Sequence, residues 1–290
     1  MNESPLLYHY TNGKALTSIL EHGELWATHI QFLNDAKEFL HAIDIAEEGL
    51  AEMRRAPAFG NQQNLLERLQ GELTNLKVMN ESGVIDVFVA SFSSVADDLS
   101  QWRGYCSKGN GYCVGFDRLG IEKLTQTKDN LSLCQCIYKR EEQQAALEGL
   151  VTGVSEHDES SIESFNEKFV ELAPRLKNDK FINEGEWRLV LRRGAPTRST
   201  WRFDADPEGS LFTVSFRHGR STLIPYAKID LCQQPSASTV TKTLPIKELW
   251  IGPTSERQLS LVATWKLLHH SGYTPEFCSI NKSLVPYRDW

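Results

Sequence analysis

Val84-Ile-Asp-Val-Phe-Val-Ala-Ser-Phe92 is a mostly apolar run, β-branched at Val84, Ile85, Val87 and Val89 and interrupted by Asp86. It lacks the apolar–polar alternation of a half-exposed strand, so it reads as a buried strand. Helical periods flank it on the N-terminal side. Asp35–Arg55 places Phe39, Leu40, Ile43, Ala46 and Leu50 at helical spacing and stops before Pro57 and Gly60. Asn64–Met79 does the same with Leu65, Leu66, Leu69, Leu73 and Leu76. Further out, Leu6–Thr11 reads as a short aromatic strand, broken by Asn12-Gly13. A helix follows with Leu16, Ile19 and Leu20 on one face and Gly23 as its stop, then a strand over Glu24–Ile30.

On the C-terminal side, Asp97–Tyr105 reads as a short helical turn, and Gly111–Phe116 and Leu131–Tyr138 as strands. Lys139–Leu150 and Ser160–Leu176 read as Glu/Gln-rich helices. The last third reads as strands over Glu186–Arg193, Ser210–Arg217, Ser221–Leu231 and Ile246–Ile251. A helix capped by Thr254 or Ser255 runs from Glu256 to His270, and a final strand covers Glu276–Ile280. Strands without regular βαβ alternation predict an α+β fold with a mixed or antiparallel sheet and flanking helices. One domain over 1–290 is expected, with a helical insertion around 139–178. Neither G-x-G-x-x-G nor a P-loop is present, which excludes the usual dinucleotide and nucleoside-triphosphate signatures.

Composition narrows the function classes. The 290 residues are 40% hydrophobic and 24% charged, with a formal net charge of −7, values of an ordinary globular chain rather than a disordered one. The acidic balance argues against coating nucleic acid, which takes surplus Lys and Arg. It also hides a basic segment. Residues 186–228 hold eight Lys/Arg against four Asp/Glu, a sheet edge or a platform for phosphates. The N-terminus has no basic or apolar leader, and no apolar stretch approaches the ~20 residues of a membrane span. No membrane partner and a cytoplasmic location are therefore expected. Six scattered cysteines fit free thiols in a reducing compartment. No H-E-x-x-H or usual zinc spacing occurs, so no metal is expected.

Five clusters are more polar or aromatic than packing needs. In Tyr8-His9-Tyr10-Thr11, His9 faces away from the two tyrosines if the run is extended. Asn34-Asp35 with Glu38 resembles a capping box. Ser91-Phe-Ser93 ends the buried strand and precedes Asp98, Trp102, Arg103 and Tyr105. These small hydroxyls, rings and an arginine could hold a sugar and a flat ring. In Glu184-Gly185-Glu186-Trp187-Arg188, two carboxylates flank a glycine at a strand entrance. On a strand both reach one side, and like charges that close raise at least one pKa. Ser283–Trp290, in which Pro286 rules out a central strand, reads as a docked chain end.

In register, these words resemble the DUF2971 family of uncharacterised bacterial proteins. They are Leu7–Thr11 with Leu16, Ser18, Ile19 and Leu20; Leu33–Asp35 with Glu38; Ser91–Ser93 with Leu99, Trp102 and Tyr105; Gly111 with Gly115-Phe116; Lys180, Glu184, Glu186 and Arg188; and Ile251–Pro253 with Pro286–Arg288. They run from residue 7 to residue 288. Their order also resembles the ADP-ribosyltransferases, which consume NAD. In that superfamily a first strand grips the nicotinamide ribose, a second ends in a Ser-x-Ser-like word or a tyrosine, and a third carries the catalytic glutamate, often as E-x-E.

The likeness implies a split-sheet ADP-ribosyltransferase-like fold, NAD as substrate, and the following roles. Glu186 is the catalytic carboxylate and Glu184 orients the acceptor, or Glu184 is itself the active one. His9 and Thr11 hold the ribose, with Tyr8 beside them. Ser91 and Ser93 support Glu186, Trp102 and Tyr105 flank the nicotinamide, and Arg103 or Arg188 meets phosphate. The pattern departs from the superfamily in pairing a first-strand His with Ser-Phe-Ser, and in placing more than 90 residues between that word and the glutamates. The expected function is an NAD-dependent transferase or glycohydrolase effector, a toxin or an antiviral-defence protein. Its acceptor would be a protein or nucleic acid reached through 188–228. The alternatives are a non-catalytic module sensing a nucleotide or nucleic acid through the same pocket, and a metal-dependent hydrolase built on Asp35, Glu38 and Glu186.

Overall fold

The computed structural model describes residues 5–33, 38–106, 110–128, 130–192, 213–219, 221–232, 244–273 and 278–286. Strand β1 (Leu6–Asn12) runs into α1 (Gly13–His22). The Asn12 side chain caps this helix by accepting from the Ala15 amide at 3.0 Å, and Gly23 ends it in the left-handed region at φ 71°. Next come β2 (Glu24–His29), α2 (Glu38–Arg55), α3 (Gln63–Glu81), β3 (Val87–Ser93), α4 (Leu99–Tyr105) and β4 (Gly111–Asp117). They are followed by α5 (Arg118–Gln126), β5 (Leu131–Gln135), α6 (Arg140–Val151), α7 (Glu159–Leu172) and β6 (Glu186–Arg192). Last are β7 (Val214–His218), β8 (Leu223–Asp230), β9 (Ile246–Ile251), α8 (Arg257–His270) and β10 (Ser279–Lys282).

These ten strands form one open sheet, antiparallel except for the β9–β10 pair. The expected α+β class with a mixed, mostly antiparallel sheet is what forms. The buried run at 84–92 becomes β3, at the centre. One of its edges pairs along its length with β6, from Val87↔Arg192 to Ser93↔Glu186. The other edge is shared. β2 takes its start (His29↔Phe88, Thr28↔Val89) and β1 takes its end (Tyr8↔Ser93). The sheet therefore forks, and a gap opens between β1 and β2 opposite Ala90, Ser91 and Phe92.

Both faces of β3 are covered, as its composition predicts. Val87 and Val89 pack with Val190 under a layer of α2, α3, α6 and α7, whose core includes Phe39, Ile43, Leu66, Leu69, Phe165 and Phe169. Phe88, Ala90 and Phe92 pack on the other face with residues of α1, α5 and α8. Among the described residues no helix is long and apolar enough to cross a membrane, and all six cysteines are free.

Some boundaries differ from the expected ones. Helix α5 carries no side-chain cap bond at Asp117 and buries only Gly120, Ile121 and Leu124, too short a stripe to stand out as a period. Glu256 occupies the cap position of α8, while Thr254 accepts from the Glu256 amide at 3.2 Å. The described final strand is Ser279–Lys282, in register with β9, and Glu276 and Phe277 of the expected Glu276–Ile280 lie outside the described residues. Asn34, Asp35, Tyr287, Arg288 and Trp290 lie outside the described residues, as do Arg193, Arg198, Arg202, Arg220, Asp204, Asp206 and Glu208 of the basic segment.

Asp97 ties the last described residues to the fork. It sits in the left-handed region at φ 55°, which Asp tolerates better than most residues. Its carboxylate accepts from Trp102 Nε1 at 2.9 Å, from the Leu284 amide at 2.8 Å and from the Ser283 hydroxyl. Asp97→Ala strands these donors and is expected to cost about 1–3 kcal/mol, with faster amide exchange at Leu284 than in the native protein. Unchanged exchange there would contradict the clamp.

Candidate functional site

A cavity of about 320 Å³ opens at the fork. Tyr8, His9, Thr11, Ser91, Ser93, Tyr105, Glu184 and Glu186 all line it, joined by Trp26, Thr28 and Arg217. The structure thus brings together eight of the eleven residues that the sequence singled out.

The fork explains His9. A strand edge left unpaired must place its backbone groups elsewhere. His9 Nδ1 lies 2.9 Å from the Ser91 carbonyl oxygen, the group that neither β1 nor β2 covers. The bond assigns the proton to Nδ1 and leaves Nε2 as an acceptor. Burial, offset in part by this bond, holds the imidazole below its ordinary pKa, and Arg217 adds to the lowering. His9 is therefore a neutral ring.

The carboxylates stand on a buried ion cluster. Glu186 begins β6 and is 4% exposed, and Arg188, on the same face of the strand, is 1% exposed. Arg188 Nε donates to Glu186 Oε1 at 2.9 Å and Nη2 to Oε2 at 3.0 Å; Nη1 donates to the Pro174 carbonyl at 2.8 Å. Arg188 Nη2 is also 2.7 Å from Glu38 Oε2, at the start of α2. Lys177, 5% exposed, bridges Glu186, Glu184 at 2.8 Å and Glu38 at 3.7 Å. Burial alone raises a carboxyl pKa, but at Glu186 it is outweighed by Arg188 and Lys177, which hold it down at about 2. At Glu38 burial wins over the same two cations, and its pKa is raised. Burial lowers the Lys177 pKa, but Glu186, Glu38 and Glu184 together outweigh it and hold it above its ordinary value.

Glu184 is placed differently. It ends a 3-10 helix over Asp179–Glu184, and Lys177 engages its Oε2. Its side chain is 19% exposed against 5% for Glu186, so of the two carboxylates lining the cavity it is the more accessible. Ser93 donates its hydroxyl to the Glu184 carbonyl at 2.9 Å and accepts from the Val95 amide at 3.1 Å. The Ser-x-Ser word thus fixes the backbone of Glu184 directly. Tyr105 stands at the rim. Burial and then the Glu184 charge push its hydroxyl up to about 12, which keeps it a neutral donor.

Gly185 makes the bend between the two glutamates. Its φ of 51° is left-handed, and a Cβ there would collide with the Ser94 hydroxyl. Gly185→Ala is expected to cost about 1–2 kcal/mol for the strained backbone. Because the strain falls between the two carboxylates, ligand affinity should drop further than this stability loss accounts for. A variant with native affinity would contradict that coupling.

Three expected site residues lie elsewhere. Trp102 is 3% exposed, edge-on to Tyr10 at 4.8 Å and against Gly252; it is packed, not lining. Arg103 is on the exposed side of α4 and does not line the cavity. Arg188 lies beneath Glu186 with its guanidinium already committed. Two other described cations of the basic segment are likewise occupied internally, while Arg217 lines the cavity. Arg192 pairs with Glu171 at 3.3 Å and Lys228 with Glu24 at 2.9 Å. Lys177 and Arg217 carry no local motif, and Glu38 reads in the sequence as part of a capping box or a hydrolase carboxylate, so none of the three is marked for this role.

Residues 101–189 match the sequence model of a family described as "Protein of unknown function (DUF2971)". The family resemblance read from the sequence is shown over that segment, which runs from α4 into β6. It contains Tyr105, Lys177, Glu184, Glu186 and Arg188, while His9, Thr11, Ser91 and Ser93 lie outside it. No curated protein and no solved structure matches the chain.

Proposed function

We propose that the forked-sheet cavity binds NAD and that the protein cleaves the nicotinamide–ribose bond, as an ADP-ribosyltransferase-like effector. One observation carries the reading: His9, Thr11, Ser91, Ser93, Tyr105, Glu184 and Glu186, drawn from four separate stretches of the chain, line a single cavity where the sheet splits. In the reaction the C1′–N bond breaks and its electron pair leaves with nicotinamide. The acceptor, water or a nucleophilic group of a macromolecule, bonds to C1′ and loses a proton. Positive charge develops on the ribose ring, and a preoriented carboxylate in a partly dry site stabilises it.

Glu184 is the better placed carboxylate for that role, because Glu186 has both oxygens engaged by Arg188 and Lys177. Glu186 sets the position of Lys177, and Lys177 sets Glu184. Neutral His9, with Nε2 as acceptor, and the hydroxyls of Thr11 and Ser91 suit the hydroxyls of a ribose. Tyr105 at the rim suits the flat nicotinamide ring.

The same pairing of Glu186 favours a second reading, in which the cavity binds a nucleotide without turnover. Incubating the purified protein with NAD and following nicotinamide release separates the two. Release supports the enzyme; saturable thermal stabilisation by NAD without release supports the sensor; neither result overturns both.

A further inference from the structure

Arg217 stands apart from the other basic side chains near the fork. It projects from β7 across β8 and lines the cavity, where its Nη2 donates to Thr28 Oγ1 on β2 at 2.8 Å. Among the described residues no carboxylate lies within 4.0 Å of it, whereas Arg188, Arg192 and Lys228 each have one. Burial lowers its pKa, with only the Tyr226 hydroxyl opposing. A partly desolvated guanidinium without a counter-ion is unfavourable until an anion arrives. An arginine also keeps several N–H donors in one plane, suited to two-point contact with phosphate oxygens.

Two more donors line the same cavity from β2. Thr28 uses its oxygen as acceptor for Arg217, so its own proton is free to donate. Trp26, two residues earlier on the same face of β2, stacks on Tyr226 at 4.6 Å. Its Nε1 is buried without a partner among the described residues. Glu24, the next residue on that face, is neutralised by Lys228 at 2.9 Å. The cavity is therefore electrically polar. Carboxylates occupy one side, at Glu184 and Glu186, and another side holds a cation with no carboxylate partner among the described residues, with two neutral donors.

We infer that Arg217, Thr28 and Trp26 form a phosphate subsite. The native ligand then carries a phosphate or diphosphate group as well as the part that meets Glu184. This deepens the reading of the cavity as an NAD site, but it stands on β2 and β7 rather than on the glutamates, and the two fail separately.

The test is calorimetric titration of the whole chain with inorganic diphosphate and with ADP, in low salt, for the native protein, Arg217→Gln, Arg217→Lys and Trp26→Phe. The native protein is expected to bind both. Arg217→Gln should weaken each about 10-fold or more, the loss of a charge-assisted bond. Arg217→Lys, which keeps the charge and loses the planar fork, should fall between and controls for folding, and Trp26→Phe should weaken binding several-fold. Diphosphate that does not bind, or that binds Arg217→Gln as well as the native protein, overturns the subsite. Arg217-dependent diphosphate binding by a protein that neither binds nor cleaves NAD keeps the subsite and removes the NAD reading. Nicotinamide release with an NAD KM unchanged in Arg217→Gln does the reverse.

Discussion

Glu184→Gln is expected to lower nicotinamide release from NAD by about 10²-fold or more, the usual scale for removing one preoriented charge from a reacting centre. The thermal midpoint should move little, because Glu184 is the most exposed of the three glutamates on Lys177 and its neighbours retain their own partners. Glu186→Gln should also lose activity, with a different signature. It removes the counter-ion of a fully buried arginine and weakens the hold on Lys177, so activity and stability fall together. The pair of variants therefore separates the carboxylate that meets the ligand from the one that supports it. Full activity in Glu184→Gln, with loss confined to Glu186→Gln, would exchange the two roles.

Arg188→Met is expected to have the largest effect on stability. Breaking a buried ion pair by removing one partner costs about 3–5 kcal/mol, since it leaves the other charge uncompensated. The pH dependence follows from the two glutamates it holds. Glu186 has its folded pKa lowered to about 2. A lowered carboxyl contributes stability that is complete above its unfolded value and is lost as pH falls through the folded one. That contribution is on the order of 3 kcal/mol at neutral pH. Glu38 has its pKa raised, so its contribution has the opposite sign: it favours the fold at low pH and is lost as pH rises. In Arg188→Met both carboxyls lose a cation, and both are driven toward the protonated form. The destabilisation should therefore be greatest at pH 8 and shrink toward pH 5 in denaturant titrations. An equal loss at both pH values would show that Arg188 acts by packing alone.

How much of this was legible in the sequence depends on whether the cause is local. The buried strand at 84–92 is readable because composition reports coverage of both faces. The fork is not, because it arises when β1 and β2, 80 to 60 residues earlier, divide one edge of β3. Glu184 and Glu186 are marked by their spacing around a glycine, and His9 by an odd residue in an aromatic strand. Trp102 and Tyr105 share a helical face in sequence, yet α4 turns Trp102 into the core and leaves Tyr105 at the rim. Spacing says which side chains are neighbours, not which of them meets a neighbouring strand.

Lys177 follows a helix in a polar stretch and looks like a solvated lysine. Its burial is decided by Glu38, nearly 140 residues away, and by the turn of the chain at Gly185. Arg217 was visible only as one charge of a basic segment. Its significance comes from the absence of a nearby carboxylate among the described residues, which composition cannot report. Arg103 and Arg188 are the local candidates for phosphate, and the pairing of Arg188 with Glu186 and Glu38 leaves its guanidinium committed within the cluster.

The central claim is that the ligand occupies the fork beside His9. Its most direct test is to follow the histidine ring nitrogens by NMR while NAD is added to Glu184→Gln, in which turnover is suppressed. The His9 signals, assigned by their loss in His9→Gln, are expected to move saturably, with the Nε2 resonance shifting most as it gains a donor. NAD that leaves the His9 ring signals unchanged up to millimolar concentration would contradict the account.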